Sequence, residues 1–183
     1  MFQTKFGVRS LVNVYRAAER ANYFTTPAPG QVVSLHVPSG SLTLAGKTRS
    51  KRKTTEPAIL SSTDVNEGKL RLASADGSGY GAVEGVIVRV SGSDCFVAAP
   101  GEEVPIGIFG TLGQLNALGA TNILYLSHTT PGTLSPTAPP SGYWLRRVIR
   151  SPKFFSKLVE TEVNPDSPTA IYVRIIEEAA QVI

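Results

Sequence analysis

From Pro57 onward the chain alternates short apolar runs with clusters of Gly, Ser, Asp and Pro. This pattern predicts strands over Ala58–Ser61, Lys69–Ala73, Val83–Ser91, Asp94–Ala99, Val104–Phe109, Ile123–Ser127, Tyr143–Ile149 and Thr169–Ile176. Val86-Ile87-Val88, then Gly92-Ser93, then Cys95-Phe96-Val97 reads as a β-hairpin. Thr111–Gly119 is interrupted by Gly113, which disfavours a long helix, so a loop or a short helical turn is expected there. Glu177 to Val182 reads as a brief helical tail.

Before Pro57 the pattern is less regular. Leu11, Val14, Tyr15 and Ala18 make a helical stripe within Ser10–Arg20, but the β-branched Val12 and Val14 favour an extended chain nearly as well. Thr25-Thr26-Pro27-Ala28-Pro29-Gly30 breaks regular structure. Gln31 to Val37 alternates, with Val33, Leu35 and Val37 on one strand face and His36 on the other. Pro38-Ser39-Gly40 is turn chemistry, and Ser41 to Ala45 returns as a second short strand.

Charge divides the chain more sharply than hydropathy does. Residues 1–55 carry nine basic groups and one acid, whereas residues 56–183 carry nine basic groups and thirteen acids. The expectation is an N-terminal arm over residues 1–55, extended or partly helical, on a β-rich body over residues 56–183. Lys47-Thr48-Arg49-Ser50-Lys51-Arg52-Lys53 is the densest cationic stretch. It suits an acidic protein surface, a solvated loop or phosphates. Nucleic acid is the least favoured of these, because no aromatics interleave with the charges and no recognition helix follows.

Charged residues make up only 17% of the chain, below the roughly 25% of an ordinary domain, as expected of a surface partly covered by other subunits. The single cysteine, Cys95, rules out an intrachain disulfide and reads as a buried thiol in a strand. No secretory h-region and no apolar run long enough to span a bilayer is visible, so no membrane partner is expected.

Candidate chemistry is sparse. His36 and His128 are the only histidines, too few for a three-histidine metal site, and Cys95 has no ligand partner at a suitable spacing. There is no Gly-x-Ser-x-Gly elbow and no Walker loop, and Gly77-Ser78-Gly79-Tyr80-Gly81 lacks the helix and Lys-Ser/Thr pair that cradle phosphate. Glu102-Glu103 and Glu177-Glu178 are adjacent pairs that do not readily converge on one substrate. Tyr125, Tyr143 and Trp144 read as packing or interface aromatics rather than a carbohydrate platform. The expectation is a non-enzymatic protein without cofactor or metal.

One stretch resembles something known. It runs from Gly107-Ile108-Phe109-Gly110 through Asn122-Ile123-Leu124-Tyr125-Leu126-Ser127-His128-Thr129-Thr130-Pro131-Gly132-Thr133-Leu134-Ser135-Pro136 to Arg147-Val148-Ile149. It resembles a module of tailed-bacteriophage virion proteins, chiefly capsid decoration (cement) proteins and head or tail fibres. In that module a Tyr-Leu-Ser-x-Thr-x-Pro-Gly-x-Leu strand and turn precedes a Pro-rich link. Where such modules continue Val-Gly-x-Ala, this chain has Val148-Ile149-Arg150-Ser151-Pro152. The resemblance spans Val83 to Ile149 and excludes residues 1–55.

The resemblance implies a virion protein on the capsid surface, made in the host cytoplasm. It also implies a homo-trimer whose partner is the major capsid protein. A fibre, tail or neck component is the alternative, and a nucleic-acid-binding protein the second. The fold class expected is mainly β, a small β-sandwich or barrel with an extended basic N-terminal arm. The residues expected to contact the capsid are Arg9, Arg16, Arg20, Lys47, Arg49, Lys51, Arg52 and Lys53 for charge. Leu11, Val14, Tyr15, Tyr23 and Phe24 are expected to serve as apolar anchors.

Overall fold

A computed structural model describes residues 26–36, 43–45, 59–61, 66, 69–76, 82–92, 94–157, 171–179 and 181–183. The fold is mainly β. Among the described residues thirteen strands run in chain order: β1 (Val32–Leu35), β2 (Thr43–Ala45), β3 (Ile59–Ser61), β4 (Leu70–Leu72), β5 (Gly85–Ser91), β6 (Asp94–Ala98), β7 (Glu103–Pro105), β8 (Ile123–Leu126), β9 (Leu134–Ser135), β10 (Trp144–Leu145), β11 (Arg147–Arg150), β12 (Tyr172–Ile175) and β13 (Gln181–Val182). One short helix, α1 (Leu112–Asn116), lies between β7 and β8.

Two antiparallel sheets dominate. The first has the order β4-β1-β5-β6 and the second β7-β12-β11-β8-β9, and β10-β13 and β2-β3 form separate two-stranded ribbons. Among the described residues no sheet closes into a barrel. Val32, Val86, Val88 and Ala98 of the first sheet share one core with Val104, Leu124, Leu126, Val148, Ile149, Val173 and Ile175 of the second. The two sheets therefore meet across a common apolar layer, which is the sandwich form of the expected fold.

Strand alternation explains the continuous run Val86-Ile87-Val88. Val86 and Val88 point into the shared core. Ile87 points to the opposite face, where it packs with Val33, Leu70, Cys95 and Val97. A sheet apolar on both faces reads as an unbroken hydrophobic segment. Val33 and Leu35 fall together on this second face, as the alternation predicts. Cys95 is also there, and burial pushes its thiol pKa up, with the Asp94 carboxylate adding to the effect.

β11 shows a different local rule. Val148 and Ile149 are neighbours in sequence yet both are buried. A register shift against β8 between Arg147 and Ile149 makes this possible, because a bulge lets consecutive residues face one side. The expected single strand Tyr143–Ile149 is in fact two. It breaks at Arg146, so that β10 pairs with β13 while β11 pairs with β8 and β12. The expected helical tail is also corrected. Gln181 and Val182 form β13, with Leu145 opposite Gln181 and Trp144 opposite Val182.

The strand expected over Val104–Phe109 ends at Pro105, after which Ile106–Phe109 turns into a 3-10 helix. α1 forms despite Gly113 because its start is capped in both directions. The Gln114 N–H donates to Thr111 Oγ1 (3.4 Å), and the Thr111 N–H donates to Gln114 Oε1 (2.8 Å).

β1 lies inside the 1–55 stretch that charge set apart as an arm. It is nevertheless an inner strand, paired with β4 on one side and β5 on the other. Val32 and Val33 are both 0% exposed. A division of the chain at residue 55 would cut through this sheet. The body therefore includes β1, and of the stretch before it only residues 1–25 lie outside the described residues.

Candidate interaction surface

All thirteen residues expected to contact a partner, from Arg9 to Phe24 and from Lys47 to Lys53, lie outside the described residues. So does the expected Ser10–Arg20 helix. The described fold offers a groove instead, beside Pro29 and Gly30.

That surface is built from turns. Pro29 and Gly30 are the central residues of a turn in which the Gln31 N–H donates to Ala28 O (3.3 Å). Gly30 takes φ +86°, the conformation required at the third position of a type II turn, and Pro29 suits the second. A side chain on Gly30 would also collide with the Ile108 carbonyl, since its Cβ would lie 2.4 Å from that oxygen. The turn thus presses directly on the 3-10 helix Ile106–Phe109.

A second turn closes the other side. The Ser127 Oγ accepts from the N–H groups of Thr129 (3.3 Å) and Thr130 (3.1 Å). The Thr133 hydroxyl donates to Thr130 O (2.8 Å). Gly132 sits at φ +75°. Its N–H donates to Ala73 O (2.7 Å) and its carbonyl accepts from the Val32 N–H (2.9 Å), so the turn ties the second sheet to β1 and to the end of β4.

Between these turns and α1 lies an open groove of about 330 Å³. Its walls include Pro29 and Gly30, Ile108 and Phe109, Leu115 and Leu118, and Leu134, with Gln31, Gln114 and Thr133 at polar positions. Among the described residues no acidic, basic or histidine side chain lines it. Such a groove has the chemistry to take apolar or aromatic side chains.

The other residues singled out in the sequence have packing roles. His128 lies against Tyr143, ring centroids 4.8 Å apart. Trp144 packs on the shared core. Tyr125 is half-buried on β8 opposite Arg147 and Ser135. His36 is half-buried rather than on an open surface, and its backbone N–H donates to Lys69 O (2.9 Å). Among the described residues no group of three or more His, Cys, Asp or Glu side chains is placed to hold a metal ion. No helix among them is long and apolar enough to cross a membrane.

The acidic pairs come closer together than their sequence suggests. β7 pairs with β12, placing Glu103 opposite Arg174, and the Gly101 N–H donates to Ile175 O (2.8 Å). Glu102-Glu103 and Glu177-Glu178 therefore share one region of the second sheet. Glu178 has a specific role. It pairs with Arg147 (3.3 Å) and acts electrostatically on Arg146.

Arg146 is only 2% exposed, and sequence patterning gave no sign of its burial. Its Nη2 donates to Ile176 O (2.7 Å), while Nε and Nη1 are buried without a hydrogen-bond partner among the described residues. Burial lowers its pKa, and Glu178 works against that shift. Removing the acid leaves a buried cation uncompensated, whereas removing the cation relieves a desolvation cost. Glu178→Gln is therefore expected to destabilise the fold by about 2 kcal/mol. This is below the roughly 3–5 kcal/mol of a fully buried pair because Glu178 is 26% exposed, makes its ion pair with the exposed Arg147 and acts on Arg146 only through its field. Arg146→Met is expected to cost about 1 kcal/mol, chiefly for the carbonyl it orphans. Denaturant titration of both variants checks the order, and a costlier Arg146→Met would refute it.

No protein-family model matches this chain, and the searches of curated proteins and of solved structures found no match either.

Proposed function

We propose that this chain is a structural protein of a tailed-bacteriophage virion, which decorates the capsid and stabilises it by binding the lattice of the major capsid protein. The observation that carries this reading is the stretch Gly107 to Ile149, where the resemblance to virion modules lies. In the fold it is a continuous unit, from the 3-10 helix and α1 through β8, the Ser127–Thr133 turn, β9 and the Pro-rich link to β10 and β11. β8 and β11 are inner strands of the second sheet, so this unit forms much of the body.

The low charge content and the apolar groove support an assembly role, because both fit surfaces that other copies cover. In this reading the protein is a trimer on the capsid surface. Arg9, Arg16, Arg20 and the Lys47–Lys53 stretch meet acidic capsid patches, and many weak contacts repeated over a shell add up through avidity. Imaging virions that carry a labelled copy tests it. Label distributed over the head lattice is the expected result. Label confined to the tail, neck or fibres would move the chain to the alternative reading, a fibre, tail or neck component.

The basic stretch Lys47–Lys53 also supports a second reading, nucleic-acid binding. That reading requires affinity for DNA or RNA that falls steeply with salt. The capsid reading requires none at low salt in the absence of particles.

A further inference from the structure

We propose that the end of β11 carries a docking surface for an acidic segment of a partner protein, with Arg150 and Arg174 gripping its carboxylates and Phe154 packing on its apolar side chains. This surface adds to the assembly reading, which it needs only in taking the partner to be a protein. On the outer face of the second sheet Arg150 lies directly opposite Arg174, and both are exposed. Like charges in that position destabilise an antiparallel pair, because their Cβ atoms lie only about 4.5–5.5 Å apart. A carboxylate between them turns the repulsion into charge-assisted hydrogen bonds, which guanidinium groups make in bidentate fashion. Glu103 sits across from Arg174 on β7, but no ion pair joins the two among the described residues.

Arg150 runs on into a turn, Ser151–Lys157, that the fold holds at several points. Phe155 is fully buried in the shared core and anchors it. The Ser151 N–H donates to Asn122 O (2.8 Å), the Phe155 N–H to Thr121 O (2.9 Å) and the Ser156 N–H to Gly119 O (3.0 Å). The side chain just before this anchor is left outside. Phe154 is 48% exposed, with Lys153 and Lys157 exposed beside it. An aromatic side chain on a turn already held in place offers a partner a large apolar area at little cost in ordering. Charge decides the partner's chemistry. Residues 104–159 carry five basic groups and no acid, so the neighbouring Gly119–Asn122 stretch and α1 supply no carboxylate. Glu178, brought to the same sheet, is engaged with Arg147. A surface that is cationic, aromatic and short of carboxylates of its own is complementary to acidic groups mixed with apolar ones.

Solution NMR of the full chain tests this, with a synthetic peptide of alternating glutamate and leucine as the probe. Amide shifts are expected to centre on residues 150–157 and 174. Phe154→Ser, and Arg150→Gln combined with Arg174→Gln, are each expected to weaken the peptide about 10-fold, the size of a typical hot-spot loss. Unchanged affinity in either variant, or shifts confined to residues 47–53, would overturn the proposal. Inorganic polyphosphate that binds these residues more tightly than the peptide would overturn the choice of a protein partner. Urea titration separates docking from folding. Phe154→Ser is expected to leave the midpoint unchanged, and Arg150→Gln to raise it, because the opposed arginines repel. A lower midpoint for Arg150→Gln would show that the fold itself uses this side chain, and its role in docking would fall. No particle enters these assays, so their failure is distinguishable from failure to bind a capsid.

Discussion

Deleting residues 1–55 is expected to abolish cooperative unfolding altogether, while deleting residues 1–25 preserves it. The shorter deletion leaves every described strand in place. The longer one removes β1 from between β4 and β5. Val32 and Val33, each fully buried, face the two opposite apolar layers of the first sheet, and their loss forfeits about 3–6 kcal/mol of burial. The loss of hydrogen bonds is worse. Val32 donates to Gly132 O, and its carbonyl accepts from Ala73. Gln31 O accepts from Ile87, Val33 O from Glu84, and Gly30 donates to Ile87 O. Buried groups left without these partners cost about 1–3 kcal/mol each. Together these terms are as large as the roughly 5–15 kcal/mol that holds a typical domain folded. Urea titration followed by circular dichroism gives the answer. A sharp transition in the chain lacking residues 1–55 would show that β1 is dispensable.

Gly30→Ala is expected to destabilise the protein by about 3 kcal/mol or more, whereas Gly119→Ala costs about 1 kcal/mol. Both glycines have positive φ, +86° and +79°. Backbone strain is therefore common to the two substitutions. They differ in what the new methyl group meets. At Gly119 no atom of the described residues lies within 4 Å, but at Gly30 the Ile108 carbonyl oxygen is 2.4 Å away. That oxygen belongs to the main chain and cannot swing aside like a long side chain. The 3-10 helix must move, and with it the groove wall at Phe109. Denaturation midpoints of the two variants separate the effects. Equal losses would mean that the close approach at Gly30 contributes nothing.

The strands that were legible in the sequence are those whose burial follows a simple period. β5 and β6 stand out as apolar runs around Gly92, and Leu124 and Leu126 alternate with half-buried Ile123 and Tyr125 on β8. Shorter elements carry no period to read. β9 and β13 have two residues each, too few for alternation to show, and β13 exists because its backbone pairs with β10. The break at Arg146 was hidden for another reason. A basic residue inside an apolar run looks like an outward-facing strand position, yet here the guanidinium turns inward to the Ile176 carbonyl.

The groove was illegible as a site because no single stretch of sequence encodes it. Its walls come from Pro29, Ile108, Leu118 and Leu134, brought together only by the contact of Gly30 with Ile108 and the tie between Val32 and Gly132. The one early sign was the Pro29-Gly30 pair, which marked a turn but not what the turn would press against. The charge asymmetry was legible, but it could not place a boundary, because β1 contains no charged residue at all.

Binding to a capsid lattice is the property on which the proposed role depends. Co-sedimentation of the purified chain with phage heads assembled without it measures this directly. The expected result is saturable binding in fixed proportion to the lattice, weakened by salt and by neutralising Lys47, Arg49, Lys51, Arg52 and Lys53 together. A chain that stays in the supernatant at every concentration, with or without salt, would contradict it.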